Sequence, residues 1–577
     1  MQTTPTATSQ ASLTELNSVL VRLFKKRGLS PADVQDMLSW NLKDLPDLTA
    51  MIDLPKASQR IIQAIDNGET IGVYGDYDVD GTTSCALLWQ FFKFLNVTVE
   101  VFQPSRFVEG YGIHPSSIDA ALEKNVKVLI SVDCGISNTA TADYAQGKLD
   151  LIITDHHRDA ASHIPRAFAV INPCRRDEPE DSVLRTLAGV GVAFALGLQI
   201  KKDLAARGQE IPSLYPLLQF VAIGTISDLA RMSPLNLRLT RHGLKQIPTS
   251  CYPGIKAFFA PEELKVDCVS SEKISFHVGP HINSKGRLDH PERAFKLLIS
   301  GTPEETREHY PHLELANLER RQIQREVFEE AKKDVISSLN SDELFINILY
   351  RPHWHEGVIG IVASKLVETF EVPAIVFTNA EEDGVIKASG RSVGELNIFD
   401  LLEECKDLFI KFGGHKMACG LSMRKENFSA FRQRMVGLLK LVPAPLRTKT
   451  RSFDVELGID EISAHLVKDL ARLEPFGPGH EKPVFRMSNA RIHSYKVMKD
   501  AHVRWTFTGS GAGNKKVSVQ GISFNYMGKW NEATPEELFA LQEKSGLLVQ
   551  FTLSVNRFNG NESIQLMVDR LIPGQFN

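Results

Sequence analysis

The sequence has few cysteines and no long apolar run, and both shortages limit what the protein can be. Its 577 residues include only seven cysteines, and no two of them form a CxxC pair. This excludes a disulfide framework and a zinc ribbon, and it is typical of reduced cytosolic thiols. No apolar stretch reaches the about 18 residues of a membrane helix, and the N-terminus lacks the features of a signal peptide. We therefore expect a cytoplasmic protein with no membrane partner.

A strong charge of one sign is also missing. The 66 lysines and arginines nearly balance the 70 aspartates and glutamates, which gives a formal net charge of −4. This excludes a histone-like basic protein, but a local basic groove can still hold nucleic acid on an acidic molecule. The length predicts about three to four domains.

The pattern of apolar runs predicts an α/β protein followed by a C-terminal β-barrel. Short apolar runs first alternate with helical stretches, which is typical of a parallel sheet with crossover helices. Residues 313–337 contain no Pro or Gly and predict a long, solvent-exposed linking helix. A smaller α/β unit follows, and then about five strands that suit an OB-type barrel. The predicted domains are a helical lead-in at 1–50, a first α/β domain at 51–245, a helical connector at 246–340, a second α/β domain at 341–445 and a barrel at 446–577.

One acidic motif follows a predicted strand directly. In Gly75-Asp-Tyr-Asp-Val-Asp-Gly81, three carboxylates fall within five residues, and their repulsion is costly unless a cation neutralises it. An EF-hand calcium loop shares this spacing, but it needs a glutamate at the position of Leu87 and a helix before the loop. The EF-hand interpretation therefore fails, and the motif predicts a cation site on a strand-to-helix turn.

Further acidic and histidine residues follow later apolar stretches. Asp133 and the triplet Asp155-His156-His157 each come after a predicted strand, and Asp228 comes after another apolar stretch. Ligands of open parallel sheets bind beyond the carboxyl ends of the strands, so we expect these groups to converge on one crevice. Oxygen ligands with one or two imidazoles favour Mg²⁺ or Mn²⁺, and no thiolate is placed to favour zinc.

Together these motifs resemble the DHH phosphoesterase superfamily, and the resemblance continues along the chain. Later motifs resemble the associated DHHA1 domain: Trp354-His-Glu-Gly-Val-Ile-Gly-Ile-Val362, Ser389-Gly-Arg-Ser392 and Gly413-Gly-His-Lys-Met-Ala-Cys-Gly420. A third set of residues resembles the start of the C-terminal domain of the RecJ family: Phe476-Gly-Pro-Gly479 followed by Pro483-Val-Phe485. The ordered motifs extend over roughly residues 20 to 577, and the chain thus resembles the RecJ family of single-strand-specific 5′→3′ exonucleases.

The resemblance implies a two-metal phosphodiesterase that uses two Mg²⁺ or Mn²⁺ ions. The implied metal ligands are Asp76, Asp78, Asp80, Asp133, His156 and Asp228. The implied catalytic residues are Asp133, His156 and His157. Asp133 would bridge the two ions, Asp155 would lie behind the ligands, and His157 would face the scissile phosphate.

The resemblance also implies a pocket for the terminal phosphate of the substrate. Arginines suit this task because a guanidinium group binds phosphate oxygens in pairs. The implied substrate-binding residues are Arg106, Tyr111, Arg287, His355, Ser389, Arg391, Gly414 and His415. Each single arginine has an alternative interpretation as a surface salt bridge, and Tyr111 has one as a packed loop aromatic.

Two positions depart from the common family pattern. Tyr74 stands where members often carry histidine, and tyrosine is a poor Mg²⁺ ligand, which would lower affinity at the first metal. His281 stands where arginine is common, which would remove basic charge near the substrate. Neither departure removes an implied catalytic residue.

The predicted barrel has a mild basic excess. Residues 446–577 contain 17 lysines and arginines against 14 aspartates and glutamates. The strands or loops of this region carry Arg504, Trp505, Lys515 and Lys516. This composition suits a sequence-tolerant platform for single strands, and a basic domain that only packs against its neighbour is the alternative.

Three functions remain open on these motifs. The first is a 5′→3′ single-stranded-DNA exonuclease that releases 5′-mononucleotides in DNA repair and recombination. The second has the same chemistry on short oligonucleotides or cyclic dinucleotides, but smaller enzymes of that type lack the barrel. The third is a non-catalytic replication scaffold, whose degeneration would first remove ligands that are present here. We expect the first function, in a monomer that acts on DNA with a 5′ end beside a single-strand-binding protein and a helicase.

Overall fold

The computed structural model describes two compact units. The described residues are 16–105, 109–159, 163–288, 291–338, 345–449, 452–510, 516–529, 532–558 and 561–573. The first unit comprises Ala32–Leu318 and Arg472–Lys482, and the second comprises the other described residues. Helix α1 (Ser18–Lys26) belongs to the second unit.

The first unit contains a five-stranded parallel sheet, which confirms the predicted α/β class. Its strands are β1 (Thr70–Gly75), β2 (Val99–Phe102), β3 (Val126–Val132), β4 (Asp150–Thr154) and β5 (Ala169–Ile171). Their order is β2-β1-β3-β4-β5, and all neighbours run parallel. Parallel sheets are covered on both faces, which explains why β3 is buried along nearly its whole length.

Twelve described helices surround this sheet or extend the unit. They are α2 (Pro31–Leu38), α3 (Leu54–Asp66), α4 (Val79–Phe94), α5 (Pro115–Glu123), α6 (Thr139–Ala145), α7 (Gly189–Ala206), α8 (Leu218–Ser227), α9 (Pro234–Gln246), α10 (Pro253–Lys256), α11 (Ser271–Lys273), α12 (Gly279–Leu288) and α13 (Glu292–Ile299). A π-helical segment, Ile274–Val278, precedes α12. Helix α4 is buried on nearly all sides and contacts α7 and α8, so it forms the centre of the unit.

The predicted linking helix is longer and less exposed than its sequence indicates. Helix α14 (Pro303–Ser338) has 36 residues, and its C-terminal half buries Val327, Ala331 and Val335. These side chains pack against α15 (Glu356–Phe370) in one hydrophobic cluster. A solvated linker is therefore the wrong interpretation of this half, because an apolar stripe lies between its many charged residues.

The second unit contains the smaller α/β domain that the sequence predicts. Its strands are β6 (Asn347–Tyr350), β7 (Ala374–Asn379), β8 (Val385–Arg391), β9 (Phe409–His415) and β10 (Ala418–Arg424), in the order β6-β7-β8-β10-β9. Only β6 and β7 pair in parallel; the other pairs are antiparallel. Helices α16 (Ile398–Glu403) and α17 (Phe428–Leu441) complete the domain.

The C-terminal strands form a closed barrel, as predicted. They are β11 (Val455–Glu456), β12 (Phe485–Met498), β13 (His502–Ser510), β14 (Lys516–Ser523), β15 (Leu547–Phe558) and β16 (Asn561–Pro573), and helices α18 (Ala464–Ala471) and α19 (Pro535–Ser545) accompany them. The order β12-β13-β14-β16-β15 closes because β12 also pairs with β15.

One of the residues named for the single-strand platform of this barrel lies in its core. Trp505 is completely buried, and its indole N–H donates to Ser523 Oγ at 2.9 Å. It cannot stack on a base, so that part of the platform prediction is wrong. Arg504 and Lys516 are exposed, as a platform requires, and Lys515 lies outside the described residues.

The segment Arg472–Lys482 returns to the first unit, although the sequence places it in the barrel region. The Met232 amide donates to the Pro478 carbonyl at 2.7 Å. Arg241 is 1% exposed and donates to the backbone carbonyls of this segment and of the N-terminal part of the unit. The acceptors are Glu474 at 2.7 Å, Arg472 and Leu473 at 3.2 Å, and Met37 at 2.6 Å. The domain boundaries drawn from the sequence remain predictions.

Within the described ranges, no helix is both long enough and apolar enough to cross a membrane.

We expect Arg241→Met to lower the free energy of unfolding by about 3 kcal/mol, because it leaves several buried carbonyls without a donor. Urea unfolding measures this loss. The control is Arg207→Met, whose ion pair with Asp66 is about half exposed and should contribute less than about 1 kcal/mol. Equal losses for the two variants would contradict a central role of Arg241 in holding the segment.

Candidate metal centre

The carboxyl ends of three neighbouring strands carry most of the predicted ligands. Asp76 follows β1, Asp133 follows β3 and Asp155 follows β4, and these strands lie side by side in the sheet. Asp228 comes from the C-terminal end of helix α8 instead. The sheet therefore brings the strand-end groups together, and a helix adds the last carboxylate.

The turn between β1 and α4 depends on two glycines and a capping carboxylate. Asp78 is the N-cap of α4 and accepts a hydrogen bond from the Gly81 amide at 3.0 Å. A Cβ on Gly81 would lie 2.4 Å from the Asp76 carbonyl oxygen, and one on Gly75 would lie 2.3 Å from Cys85 Sγ. Only glycine fits at both ends, so the turn can fold tightly and hold its acidic side chains at the start of the helix.

The side chains converge as a metal site requires. His156 Nε2 lies 3.2 Å from Asp133 Oδ1 and 3.8 Å from carboxylate oxygens of Asp80 and Asp228. Three groups each have ligand atoms within 4.8 Å of one another: Asp76, Asp78 and Asp133; Asp80, His156 and Asp228; and Asp133, His156 and His157. Asp133 and His156 each belong to two of these groups.

Among the converging atoms of the described residues, Asp133 Oδ1 and His156 Nε2 are buried and make no hydrogen bond. Buried polar atoms are normally satisfied, and a cation between them would satisfy both. The donors are carboxylate oxygens with one or two imidazoles, which fits Mg²⁺ or Mn²⁺. The residues present therefore fit the ions that the sequence predicts.

Burial and mutual repulsion dominate the electrostatics of the cluster. Burial and the neighbouring carboxylates raise the pKa of Asp80 to about 7 and that of Asp228 to about 8. The same causes raise the pKa of Asp133 well above its usual value. Burial and the adjacent His157 lower the pKa of His156 to about 4, so its imidazole is neutral and can coordinate a metal.

Asp155 is occupied by hydrogen bonds and orients its neighbours. One carboxylate oxygen accepts from the amides of His156 and His157 at 2.7 and 3.1 Å and lies 2.8 Å from His157 Nδ1. The other oxygen accepts from the Ile136 amide at 2.9 Å. Burial would raise the pKa of Asp155, but these bonds and the charge of His157 lower it to about 2. Asp155 therefore lies behind the ligands, where it fixes both histidines.

His157 is the more exposed histidine, with 40% of its side chain accessible. Burial lowers its pKa, but the hydrogen bond to Asp155 and the nearby carboxylates outweigh this and raise it to about 9. The Tyr111 hydroxyl lies 3.0 Å from His157 Nδ1, and the two rings meet edge to face. His157 is thus a positively charged donor at neutral pH.

Close packing around Asp133 and Asp80 involves two glycines that sequence reasoning missed. Asp133 has a left-handed backbone with φ +61°, and a Cβ on Gly189 would lie 2.7 Å from its Cβ. The amides of Gly189 and Val190, at the start of α7, donate to the two Asp80 oxygens at 2.6 and 3.0 Å. A Cβ on Gly224 would lie 2.7 Å from Asp80 Oδ1. The sequence signal was a glycine at the start or middle of an apolar helix, which indicates close approach.

The two departures from the family pattern lie in buried positions. Tyr74 is 2% exposed, and its hydroxyl donates to the Gly112 carbonyl at 2.9 Å. His281 is 4% exposed, with Nδ1 2.6 Å from the His277 carbonyl oxygen and Asn317 beside its ring. Both side chains are thus engaged within the core of the first unit.

The second unit brings together most of the predicted phosphate-binding residues. Arg391 donates to Ser389 Oγ at 3.1 Å and to the Gly390 carbonyl at 2.8 Å. A Cβ on Gly360 of α15 would lie 2.9 Å from Ser389 Oγ and 3.1 Å from an Arg391 nitrogen, so this glycine lets the pair approach the helix. His355 caps the same helix and accepts from the Gly357 amide at 3.0 Å.

Arg391 is partly buried without an acidic partner. Burial lowers the pKa of its guanidinium, and no described carboxylate lies within ion-pair distance. On the neighbouring strands, His415 lies opposite Ala418, which lies opposite Arg391. Gly414 has φ +148°, and a Cβ there would lie 2.4 Å from the Ala418 carbonyl oxygen. An uncompensated arginine among small polar residues is suited to an anion.

Two predicted substrate residues have side chains that lie outside the described part of the structure. Arg106 lies outside the described residues, and Arg287 lies on α12 with a side chain that is not described. Tyr111 is 47% exposed beside His157. The assigned roles of all these residues remain predictions.

Family models match three consecutive regions of the chain. They are the DHH family N-terminal domain at residues 70–225, the DHHA1 domain at 342–441 and the RecJ OB domain at 453–570.

Whole-chain relatives give the same result. The chain is 32% identical to the single-stranded-DNA-specific exonuclease RecJ of Escherichia coli strain K12, over 97% of this chain and 96% of that one. The crystal structure of RecJ with Mn²⁺ from Thermus thermophilus has a TM-score of 0.78 at 24% identity, covering 97% of this chain and 77% of that chain. A crystal structure of exonuclease RecJ bound to manganese has a TM-score of 0.58 at 28% identity, covering 69% of this chain and 97% of that chain.

We expect Mn²⁺ or Mg²⁺ to raise the melting temperature by about 5 °C at about 100 times the dissociation constant, because only the folded chain assembles the ligands. Asp133→Asn should abolish this shift. Its metal-free melting temperature should not fall, because the amide removes one of the repelling charges. Thermal melts with EDTA and with each metal measure both effects. Asp143→Asn, on the exposed side of α6, should keep the full shift; a full shift in Asp133→Asn would exclude Asp133 as a ligand.

Proposed function

The chain belongs to the RecJ family of single-stranded-DNA-specific exonucleases, and on this premise we propose that it degrades single-stranded DNA from the 5′ end, hydrolysing phosphodiester bonds to release 5′-mononucleotides. The metal centre is the observation that carries the proposal. Buried, unsatisfied ligand atoms of Asp133 and His156 lie at the ends of adjacent strands, and every implied ligand is present.

The chain's own residues perform distinct tasks in this reaction. Asp76, Asp78, Asp80, Asp133, His156 and Asp228 would hold two Mg²⁺ or Mn²⁺ ions. Bound divalent ions lower the pKa of water and stabilise charge on the leaving oxygen. Asp155 fixes the ring of His157 through Nδ1, so that its other ring nitrogen can face a phosphate oxygen. Asp80 is held by the amides of Gly189 and Val190, which keep it in place before the metal binds.

The second unit supplies the end recognition. Arg391 and Ser389, packed against Gly360 of α15, form a site that presents a guanidinium and a hydroxyl together. These are the donors that bind a terminal phosphate. We assign this site to the 5′ phosphate of the strand.

The barrel provides a sequence-tolerant contact with the strand. Lys496 on β12 lies directly opposite Arg504 on β13, and both are exposed. Like charges in opposed cross-strand positions repel, and no described carboxylate lies within ion-pair distance of either. A backbone phosphate would relieve this repulsion.

The remaining partners and location are part of the proposal. We propose a monomer that acts in the cytoplasm, in DNA repair and recombination. A helicase would supply single strands, and a single-strand-binding protein would keep them open.

The polarity of digestion tests the function directly. With Mg²⁺ or Mn²⁺, a 5′-labelled single strand should release labelled mononucleotide at once, while a 3′-labelled strand should shorten progressively. Digestion from the 3′ end, or none in either metal, would refute the proposal.

In the same assay, Arg391→Ala should lower kcat/KM on 5′-phosphorylated DNA by about 10- to 100-fold, because a charged hydrogen bond contributes about 1.5–3 kcal/mol.

The 5′-hydroxyl strand is the internal control for Arg391. It lacks the phosphate that Arg391 would bind, so Arg391→Ala should change its digestion much less. Arg424→Ala on β10, whose partner Glu382 is also exposed, should affect neither substrate. Equal losses of Arg391→Ala on both substrates would identify Arg391 as a structural residue.

The barrel contact predicts a change in salt dependence. Removing two phosphate contacts with Lys496→Gln and Arg504→Gln together should flatten the slope of log K against log salt by about 1.4, at about 0.7 per phosphate of a single strand. Binding titrations on long DNA at several salt concentrations measure this slope. Arg486→Gln is the control, since Arg486 on β12 is already paired with Glu456 at 2.8 Å. An unchanged slope in the double variant would show that this face does not hold DNA.

A further inference from the structure

A leucine beside the metal centre occupies a backbone conformation that suits glycine. Leu229 follows Asp228 directly and has φ +58°. Among the described residues, ten other than glycine have positive φ, and Leu229 is the only apolar one. Asparagine and aspartate tolerate this region, whereas a bulky side chain there is unusual.

The fold explains the backbone of Leu229 but not its side chain. Helix α8 ends with the Leu229 amide donating to the Ile226 carbonyl at 3.3 Å and the Ala230 amide donating to the Thr225 carbonyl at 3.2 Å. This helix ending normally has glycine at the position of Leu229. The leucine side chain is 66% exposed, so it adds little to the core. The unfavourable backbone conformation of Leu229 is therefore not compensated by packing of its side chain. Strain of this kind is found at functional sites.

A second exposed apolar side chain lies on the element that meets the end of α8. Phe276 is 75% exposed and belongs to the π-helical segment Ile274–Val278, which packs against α8. A Cβ on Gly279, just after this segment, would lie 2.9 Å from Ser227 Oγ. The end of the π-helical segment and helix α8 are thus in contact at Ser227, which directly precedes Asp228. Single π-helical turns are frequent at functional sites.

We propose that Leu229 and Phe276, which we call the apolar rim, receive a nucleobase of the DNA strand beside the metal centre. The inference rests on the proposed function, because a strand whose phosphate reaches the metal centre carries its bases past this position. Consecutive Cα atoms are about 3.8 Å apart, which keeps Leu229 next to the Asp228 ligand. Every base has an apolar face, so the contact holds a base without reading its identity.

Substitutions at Leu229 can remove the side chain without disturbing the backbone. Leu229→Gly and Leu229→Asn both accept a positive φ, so their melting temperatures should be at least those of the wild type. Each should keep the full Mn²⁺-induced melting shift, yet lose about tenfold in kcat/KM on single-stranded DNA. Leu229→Met should retain activity within about twofold. A loss of the Mn²⁺ shift together with activity would overturn the proposal, because the effect would then act through Asp228.

The matched control places glycine in the same backbone conformation far from the apolar rim. Asn125 also has positive φ after a helix, but it precedes β3 and so lies at the opposite edge of the sheet. Asn125→Gly should leave kcat/KM unchanged. A comparable loss there would show that glycine in this conformation impairs the enzyme generally and would overturn the proposal.

An abasic substrate separates a base contact from a backbone contact. When the 5′-terminal nucleotides carry no base, wild type and Leu229→Gly should digest the strand equally, because the partner of the rim is missing. Phe276→Ala should behave like Leu229→Gly on both substrates, and Phe276→Trp should restore activity on normal DNA. Equal losses of the variants on normal and abasic DNA, or no loss on normal DNA, would refute the rim. Wild-type enzyme that digests no single strand would instead refute the proposed function.

Discussion

Repulsion among buried carboxylates is the constraint on which the first unit depends. The parallel sheet ends in acids on adjacent strands, and burial raises the pKa of Asp80, Asp133 and Asp228 because their charges are not neutralised by the chain. The surrounding fold holds this arrangement with glycines too small to push the acids apart and with amides at the start of α7. A cation bound among these carboxylates would neutralise charge that the unit's own residues leave unbalanced.

The second unit shows the opposite imbalance. Arg391 is partly buried, donates only to a hydroxyl and a carbonyl, and has no described acidic partner. A cluster of buried carboxylates in one unit and an arginine without a described acidic partner in the other are the two kinds of group that the proposed reaction would use. Each is a local surplus of charge that the nearly neutral composition of the chain conceals.

The sequence predicted the elements whose signals are local. The strands of the first sheet, the turn at Gly75–Gly81 and the closed barrel follow from apolar runs and turn residues, and Asp133 and the triplet 155–157 could be recognised as groups at strand ends. It did not predict features set by tertiary contacts. The buried face of α14 and the burial of Trp505 depend on partners distant in sequence, and the close approaches at Gly189 and Gly224 depend on the Asp side chains that they face. Asp228 could be recognised as an acid that follows an apolar stretch. The sequence did not show that this stretch is a helix and that Asp228 lies at its end.

The return of Arg472–Lys482 to the first unit limits how the C-terminal barrel can be exchanged. Helix α18 and strand β12 belong to the second unit, but eleven of the residues between them, Arg472–Lys482, belong to the first unit and provide carbonyls for Arg241 and for the Met232 amide. A gene rearrangement that replaced everything after the second α/β domain would also replace this segment. The incoming sequence would have to present the same carbonyls to a buried guanidinium. The barrel is thus inherited together with a piece of the first unit.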